Sequence, residues 1–386
     1  MRELALCASG WGIQRAMGDT KAYWIAFHRV PGIGAARIRL LLGAFGNLER
    51  AWSASTDELT RAGLGPVTLR AFLAARPRID PREEEARVHA EGYSVLTWED
   101  EAYPRRLREI AAPPPVLYLW GAWERQDETA IALVGTRTPT GYGLDVAQEF
   151  GAAFAQAGVT VISGLAKGID IRCHRAVLDS GGRTMAVLGA GLDFVSPWEH
   201  RETAARIAGH GAVISDYPLG TPPEPRNFPP RNRLISGLAQ AVVVVEAGDE
   251  SGALLTAEFA AAQARPVYAV PGPIHSRKSR GTNRLIAAGA RPALSAQIVL
   301  EDLQLAEETG ASPDEEAAPA DPKEKRLWEL LGEGPVHVDD LSRRLELPAS
   351  EVSASLSMME LRGLVRAVGG MQFVRARMVP RTPAAK

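Results

Sequence analysis

The sequence predicts an α/β protein: an extended, Rossmann-like, doubly wound and mainly parallel sheet, flanked by an N-terminal helical domain and a C-terminal winged-helix domain. Three observations predict it. Short apolar runs rich in β-branched residues recur at 116–120, 131–135, 159–163, 185–189, 212–215, 241–246 and 266–270. Most are separated by stretches of helical period, such as 143–157, 169–179 and 255–263. Buried strands alternating with amphipathic helices give a parallel sheet covered on both faces. Beyond residue 323 the pattern changes to three helices and two short β-like runs.

Residues 1–20 carry no clear period and read as a loose extension. Residues 21–112 read as a helical domain of helix-hairpin-helix or SAM-like type, with a turn at Pro31-Gly32-Ile33-Gly34 and a weaker copy at Gly63-Leu64-Gly65. In such a motif the glycines let backbone N–H groups face a phosphate. The same turns also serve helical packing alone, and both readings stand. Residues 113–304 form the sheet domain, and 305–322, acidic and rich in Ala and Pro, read as a solvated linker. Residues 323–378 are the winged-helix segment, with helices at 324–331, 338–345 and 348–363, and strands at 364–368 and 371–374 about Gly369-Gly370. A tail, 379–386, follows. The third helix carries two glutamates and no Arg or Lys before Arg362, which suits a protein contact better than a DNA groove.

A length of 386 residues predicts two or three domains, and 46% hydrophobic residues can fill their cores. The net charge of -2 means that nucleic-acid binding would need a local basic patch. Cys7 and Cys173 lie at no metal-ligand spacing and build no disulfide framework; Cys173, inside a patterned helix, reads as a small buried residue. The opening residues lack a long apolar stretch with a cleavage site, and no run approaches a membrane span. A soluble, cytoplasmic protein is expected, without membrane association.

Four segments fall at the carboxyl ends of the predicted strands, where ligands collect in doubly wound folds. Gly135-Thr136-Arg137 follows one strand. Ser163-Gly164-Leu165-Ala166-Lys167-Gly168 ends the next, its small residues leaving room for a phosphate at a helix start. Arg226 and Phe228 lead into Arg231-Asn232-Arg233, and Ser251-Gly252 opens a further helix. Singly these are turns and solvated faces. Together they predict that Arg137, Lys167, Arg231 and Arg233 converge beside anion-ready helix starts.

The strings VGTRTPTGYG, SGLAKGID, FPPRNRLISGLA, EAGDESGALLTAEFA and VPGPIHSRKSRGTNRLIAAGA resemble, in order, the signature blocks of the DprA/Smf (DNA-processing protein A) family. The resemblance spans roughly residues 116–303 and implies a non-catalytic, homodimeric binder of single-stranded DNA that loads the RecA recombinase. It implies backbone contacts by Arg137, Arg231 and Arg233, a basic position at Lys167, and base stacking on Phe228. Where some relatives place a lysine before that aromatic, this chain has Pro225-Arg226-Asn227. The family self-associates through the end of this domain; here the apolar step Leu285-Ile286 is the candidate surface.

No cofactor is expected, because the phosphate-loop and dinucleotide fingerprints are absent. Asp170, Asp193 and Asp216 are scattered and predict no metal site or catalytic residue. One alternative is a nucleotide-binding enzyme of phosphoribohydrolase type, with Glu258 and Arg137 acting on a glycosidic bond. A second is a winged-helix regulator that reads duplex DNA.

Overall fold

The structure is a computed structural model describing residues 14–305, 321–331, 334–362 and 364–375. It divides into two units, with the break after Leu305. The first opens with helices α1 (Gln14–His28), α2 (Ala35–Phe45), α3 (Leu48–Ser53), α4 (Thr56–Arg61), α5 (Pro66–Ala75) and α6 (Pro81–Ala90). Their starts are written in the sequence. Asn47 accepts a bond from the Arg50 N–H, Ser55 and Glu58 form a reciprocal capping box, and Asp80 caps α6 just ahead of Pro81. Gly32, at φ +83, makes the turn between α1 and α2.

A nine-stranded sheet follows: β1 (Ser94–Thr97), β2 (Val116–Gly121), β3 (Ala130–Val134), β4 (Thr160–Ser163), β5 (Thr184–Leu188), β6 (Ala212–Ser215), β7 (Ala241–Val244), β8 (Val267–Ala269) and β9 (Arg291–Pro292). Their spatial order is β1-β2-β6-β5-β4-β3-β7-β8-β9. β3 to β9 run parallel, while β2 joins β6 and β1 joins β2 antiparallel. The mainly parallel sheet therefore matches expectation, with boundaries shifted by a residue or two. β1 and β9 were not predicted. β1 is four residues with one face half-buried, and β9 is an exposed pair containing a proline, so neither shows an apolar run.

The connecting helices are α7 (Arg105–Arg108), α8 (Gly141–Gln156), α9 (Ile169–Asp179), α10 (Arg201–His210), α11 (Phe228–Leu238), α12 (Gly252–Ala262), α13 (Arg280–Ala287) and α14 (Ala296–Asp302). Alternation along the strands sorts the core into two faces. Val116, Tyr118, Ala186, Leu188 and Val213 pack on one side, in a cluster that continues into Trp24, Phe27 and Phe72 of the helical region. Leu117, Leu119, Met185, Val187 and Ile214 pack on the other, against Leu234 of α11 and Leu254 of α12. From β3 the chain winds outward through β4, β5 and β6, then returns to place β7 on β3's free side. The carboxyl ends of β3 and β7 thus flank the topological switch point, the usual ligand crevice of this architecture.

The second unit contains α15 (Pro322–Leu330), α16 (Val338–Leu345) and α17 (Ala349–Leu361), with a small sheet ordered β10 (Val336–His337), β12 (Gln372–Arg375), β11 (Val365–Gly369). Leu327, Leu331, Leu341, Val352, Leu356 and Met359 fill its core. This is a winged helix. The expected extension at 1–20 overlaps α1 from Gln14 onward; Cys7, most of the linker and the tail lie outside the described residues. Among the described residues, no helix is long and apolar enough to cross a membrane.

Cys173 is buried within α9, and burial pushes its thiol well above the ordinary range. On the same helix His174 is fully buried. Thr184 Oγ1 donates to the Val161 carbonyl at 2.7 Å, so it accepts from His174 Nδ1 at 2.7 Å, and Nε2 is left without a partner. Burial lowers this imidazole from 6.5 to about 3. Between those values the unfolded chain binds the additional proton. His174 therefore favours the fold fully above pH 6.5 and progressively less as pH falls towards 3. Denaturant titrations across that range should show a falling stability whose slope is flatter in His174→Gln; an identical slope would remove His174 as its source.

Candidate nucleic-acid interface

Arg137 is exposed in the loop after β3, and its backbone is held from below. The Thr136 N–H donates to the Glu246 carbonyl at 2.7 Å, and the Thr136 carbonyl accepts from Ile169 at 3.2 Å. Gly168, at φ +85, lies so close that a Cβ there would come within 2.4 Å of the Thr136 carbonyl and 2.8 Å of Arg137. The loops after β3 and β4 are therefore pressed together. Lys167, next to Gly168, is exposed and has Glu199 at 3.4 Å. The Arg137 guanidinium stands 5.3 Å from the ring centre of Phe228, which is half-buried at the start of α11. Pro229 and Pro230 lie in that helix's first turn, where the missing N–H costs nothing.

Arg231 behaves differently from expectation. It is only 4% exposed. Its Nη1 donates to the carbonyl of Gly164 at 3.0 Å and to that of Val187, joining the ends of β4 and β5. Asp170 is buried nearby, accepting from the N–H groups of Gly164 at 3.2 Å and Ala166 at 3.3 Å. Burial lowers the Arg231 pKa to about 10 and raises that of Asp170; for both, desolvation outweighs their mutual attraction. Arg231 remains a cation at neutral pH but faces the interior. One turn before it, Phe228 lies with its ring centre 6.0 Å from the Arg231 guanidinium.

Arg233 also departs from the predicted convergence. Two residues along a helix is about 200° of rotation, so it leaves the opposite side of α11. There it pairs with Asp216 at 2.7 Å. Asn232 Nδ2 reaches the Gly252 carbonyl at 3.2 Å, and Ser251 caps α12, which ties the third and fourth segments together. Arg226 is exposed beside Glu224 at 2.5 Å.

The backbone anion sites expected at the helix starts are occupied by the protein's own carboxylates. Glu246, 2% exposed at the switch point, accepts from the Thr140 N–H and the Thr140 hydroxyl, each at 2.8 Å, at the start of α8. Asp170 does the same for the loop after β4. Ser163 is buried and donates to the Leu133 carbonyl at 2.7 Å. Gly135 packs on Ile169, and Gly164 on Asp170 and Arg231. Buried Ser163 and Gly164 are therefore packing positions and not the phosphate contacts expected of them, while Gly135 stays half-buried beside Arg137.

Sequence reasoning used the segment 271–280 for the family resemblance but drew no site residue from it. Lys278 Nζ donates to the hydroxyl of Thr138, and the Tyr142 hydroxyl donates to the Pro271 carbonyl at 2.9 Å, fastening this loop to the one that carries Arg137. Arg277 and Arg280 are exposed on it. Three cations among four consecutive residues, Arg277, Lys278 and Arg280, were the signal in the sequence. Leu285 packs against the core, and Ile286 is half-buried beside it on α13. The first hairpin turn, with Arg29 and Arg37, borders a separate cleft of about 470 Å³ with Asp216 and Tyr217.

Fold and site together define a doubly wound α/β protein whose strand ends carry an aromatic ring among cations. Residues 94–304 match the family described as DNA recombination-mediator protein A, and residues 311–371 match the DprA winged helix domain. The chain is 32% identical over 398 residues to Protein Smf of Synechocystis sp., covering 92% of this chain and 98% of that one. It is similar to the X-ray structure of DNA processing protein A from Streptococcus pneumoniae, with TM-score 0.63, 30% identity and coverage of 73% and 97% of the two chains. It is also similar to the structure that describes the single-stranded DNA binding mode of DNA processing protein A from Helicobacter pylori. There the TM-score is 0.50 and the identity 28%, over 55% of this chain and 95% of that one. The chain belongs to the DNA recombination-mediator protein A family, DprA/Smf, whose members are generally non-catalytic.

Replacing Arg231 by Met should cost about 3–5 kcal/mol, because Asp170 is left buried without its cation. Arg137→Ala, at an exposed position, should cost under about 0.5 kcal/mol. Urea unfolding of both variants separates the supporting arginine from the exposed one; equal losses would contradict the division.

Proposed function

We propose that the chain binds single-stranded DNA without sequence specificity along the carboxyl edge of the sheet and hands it to a RecA-type recombinase. It does so as a cytoplasmic homodimer, without cofactor or chemical step, in natural transformation or in recombination and repair. One observation carries the reading: the Phe228 ring is backed by Arg231 and flanked by the exposed Arg137. A flat ring accepts any unpaired base, and the cation beside it meets the phosphate that follows. Lys167, Lys278 and Arg277 extend the charge, and Arg226 adds to it from the segment before Phe228. Arg231 acts by holding Phe228 and the strand ends; Asn232, Ser251 and Gly252 shape the neighbouring helix start. The single-stranded DNA binding described for the Helicobacter pylori relative supports the same ligand class.

The alternatives fit less well. A nucleotide phosphate at the switch point would meet the Glu246 carboxylate, and no ion pair among the described residues joins the exposed Glu258 to Arg137. The winged helix would present α17, with Glu351 and Glu360 and no Lys or Arg, to a duplex.

Arg137→Ala should weaken binding to every single-stranded sequence and lower the slope of log affinity against log salt by about 0.7. Anisotropy titrations at several salt concentrations, with duplex DNA and mononucleotides as competitors, check this. An unchanged slope, or preference for duplex or mononucleotide, would overturn the assignment. For self-association the suitable variant is Ile286→Glu, since Leu285 is part of the core. Sedimentation should show loss of a dimer; an unaltered dimer would clear α13 of that role.

A further inference from the structure

We infer that Trp198 is a second base-stacking platform, extending the nucleic-acid path beyond Phe228; the inference rests on the single-stranded DNA reading above. Trp198 is 78% exposed, an unusual setting for the largest apolar side chain. It lies on the connection after β5, at the same carboxyl edge as Arg137 and Lys167. That connection is firmly pinned. Asp193 accepts from the Gly220 N–H at 2.8 Å, and buried His200 bonds through Nδ1 to the Leu165 carbonyl at 2.8 Å, in the loop after β4. The second of these bonds holds Trp198 close to Lys167, whose ammonium lies 3.4 Å from Glu199, the residue next in sequence to the tryptophan.

Phe194, 41% exposed, lines one narrow cleft together with Phe228, Gly164, Gly189 and Arg231. Phe194 and Phe228 thus share the crevice at the end of β5, the strand whose connection carries Trp198, and Lys167 lies beside the loop of Arg137. Unpaired bases gain from stacking on such rings whatever their identity, while the cations meet the phosphates between them. The indole lies mostly in solvent, and burying it against a base removes its apolar surface from water.

The test uses the full chain, an end-labelled oligothymidylate, and an abasic strand of equal length and charge. Trp198→Ala should weaken oligothymidylate binding by about 5- to 100-fold, and Trp198→Phe should restore most of it. On the abasic strand Trp198→Ala should cost nothing, since no base is left to stack. Unchanged affinity for oligothymidylate would overturn the proposal, and so would an equal loss on both strands, which would mark a structural role. If Arg137→Ala and Phe228→Ala lose affinity while Trp198→Ala does not, the extension fails and the primary site stands. If the wild-type chain ignores both strands, the primary reading fails and this one with it.

Discussion

The rim depends on a guanidinium that never reaches it. Arg231 is enclosed at the ends of β4 and β5, bonded to two backbone carbonyls and opposed by buried Asp170. Burying a cation is costly, and burial here outweighs the attraction for both partners. Two carbonyls satisfy its Nη1, while its buried Nε has no hydrogen-bond partner among the described residues. In return the loops after β4 and β5 and the first turn of α11 are fixed relative to one another, and with them Phe228. The ring thus stands on a rigid platform, with the exposed Arg137 beside it.

A second constraint reinforces the first. In many doubly wound proteins the N-terminus of the helix after the first strand receives a phosphate through its backbone N–H groups. Here Glu246 accepts from the Thr140 N–H and hydroxyl at the start of α8, and Asp170 accepts from the Gly164 and Ala166 N–H groups in the loop after β4. A backbone cradle fixes one anion at one point. Side-chain cations spaced along an edge favour a run of phosphates with little demand on their positions. The replacement of one device by the other, within a single fold, fits the membership of the recombination-mediator family.

Most of the architecture was legible in the sequence because its strands are buried on both faces and so read as uninterrupted apolar runs. The winged helix was legible from its succession of three helical stretches and two short β-like runs about Gly369-Gly370. β1 and β9, short and partly exposed, had no such signature. The site was legible by segment and not by side chain. That four loops meet follows from topology, but which way Arg231 and Arg233 point depends on their sharing a helix. Pro229 and Pro230 mark the start of that helix, and once it is granted the two arginines must diverge. The interior partners of Ser163, Gly164 and Arg231 are tertiary facts with no local pattern. Lys278 and its neighbours were visible as a basic cluster and lacked only a reason to be placed beside Arg137.

Glu246 has a consequence beyond packing. A seat that related architectures keep for an adenylate or a dinucleotide is stoppered here by a residue of the chain itself, joined to it by two bonds and almost sealed from solvent. A phosphate entering there would first have to displace a carboxylate bonded to the backbone and hydroxyl of the chain's own Thr140.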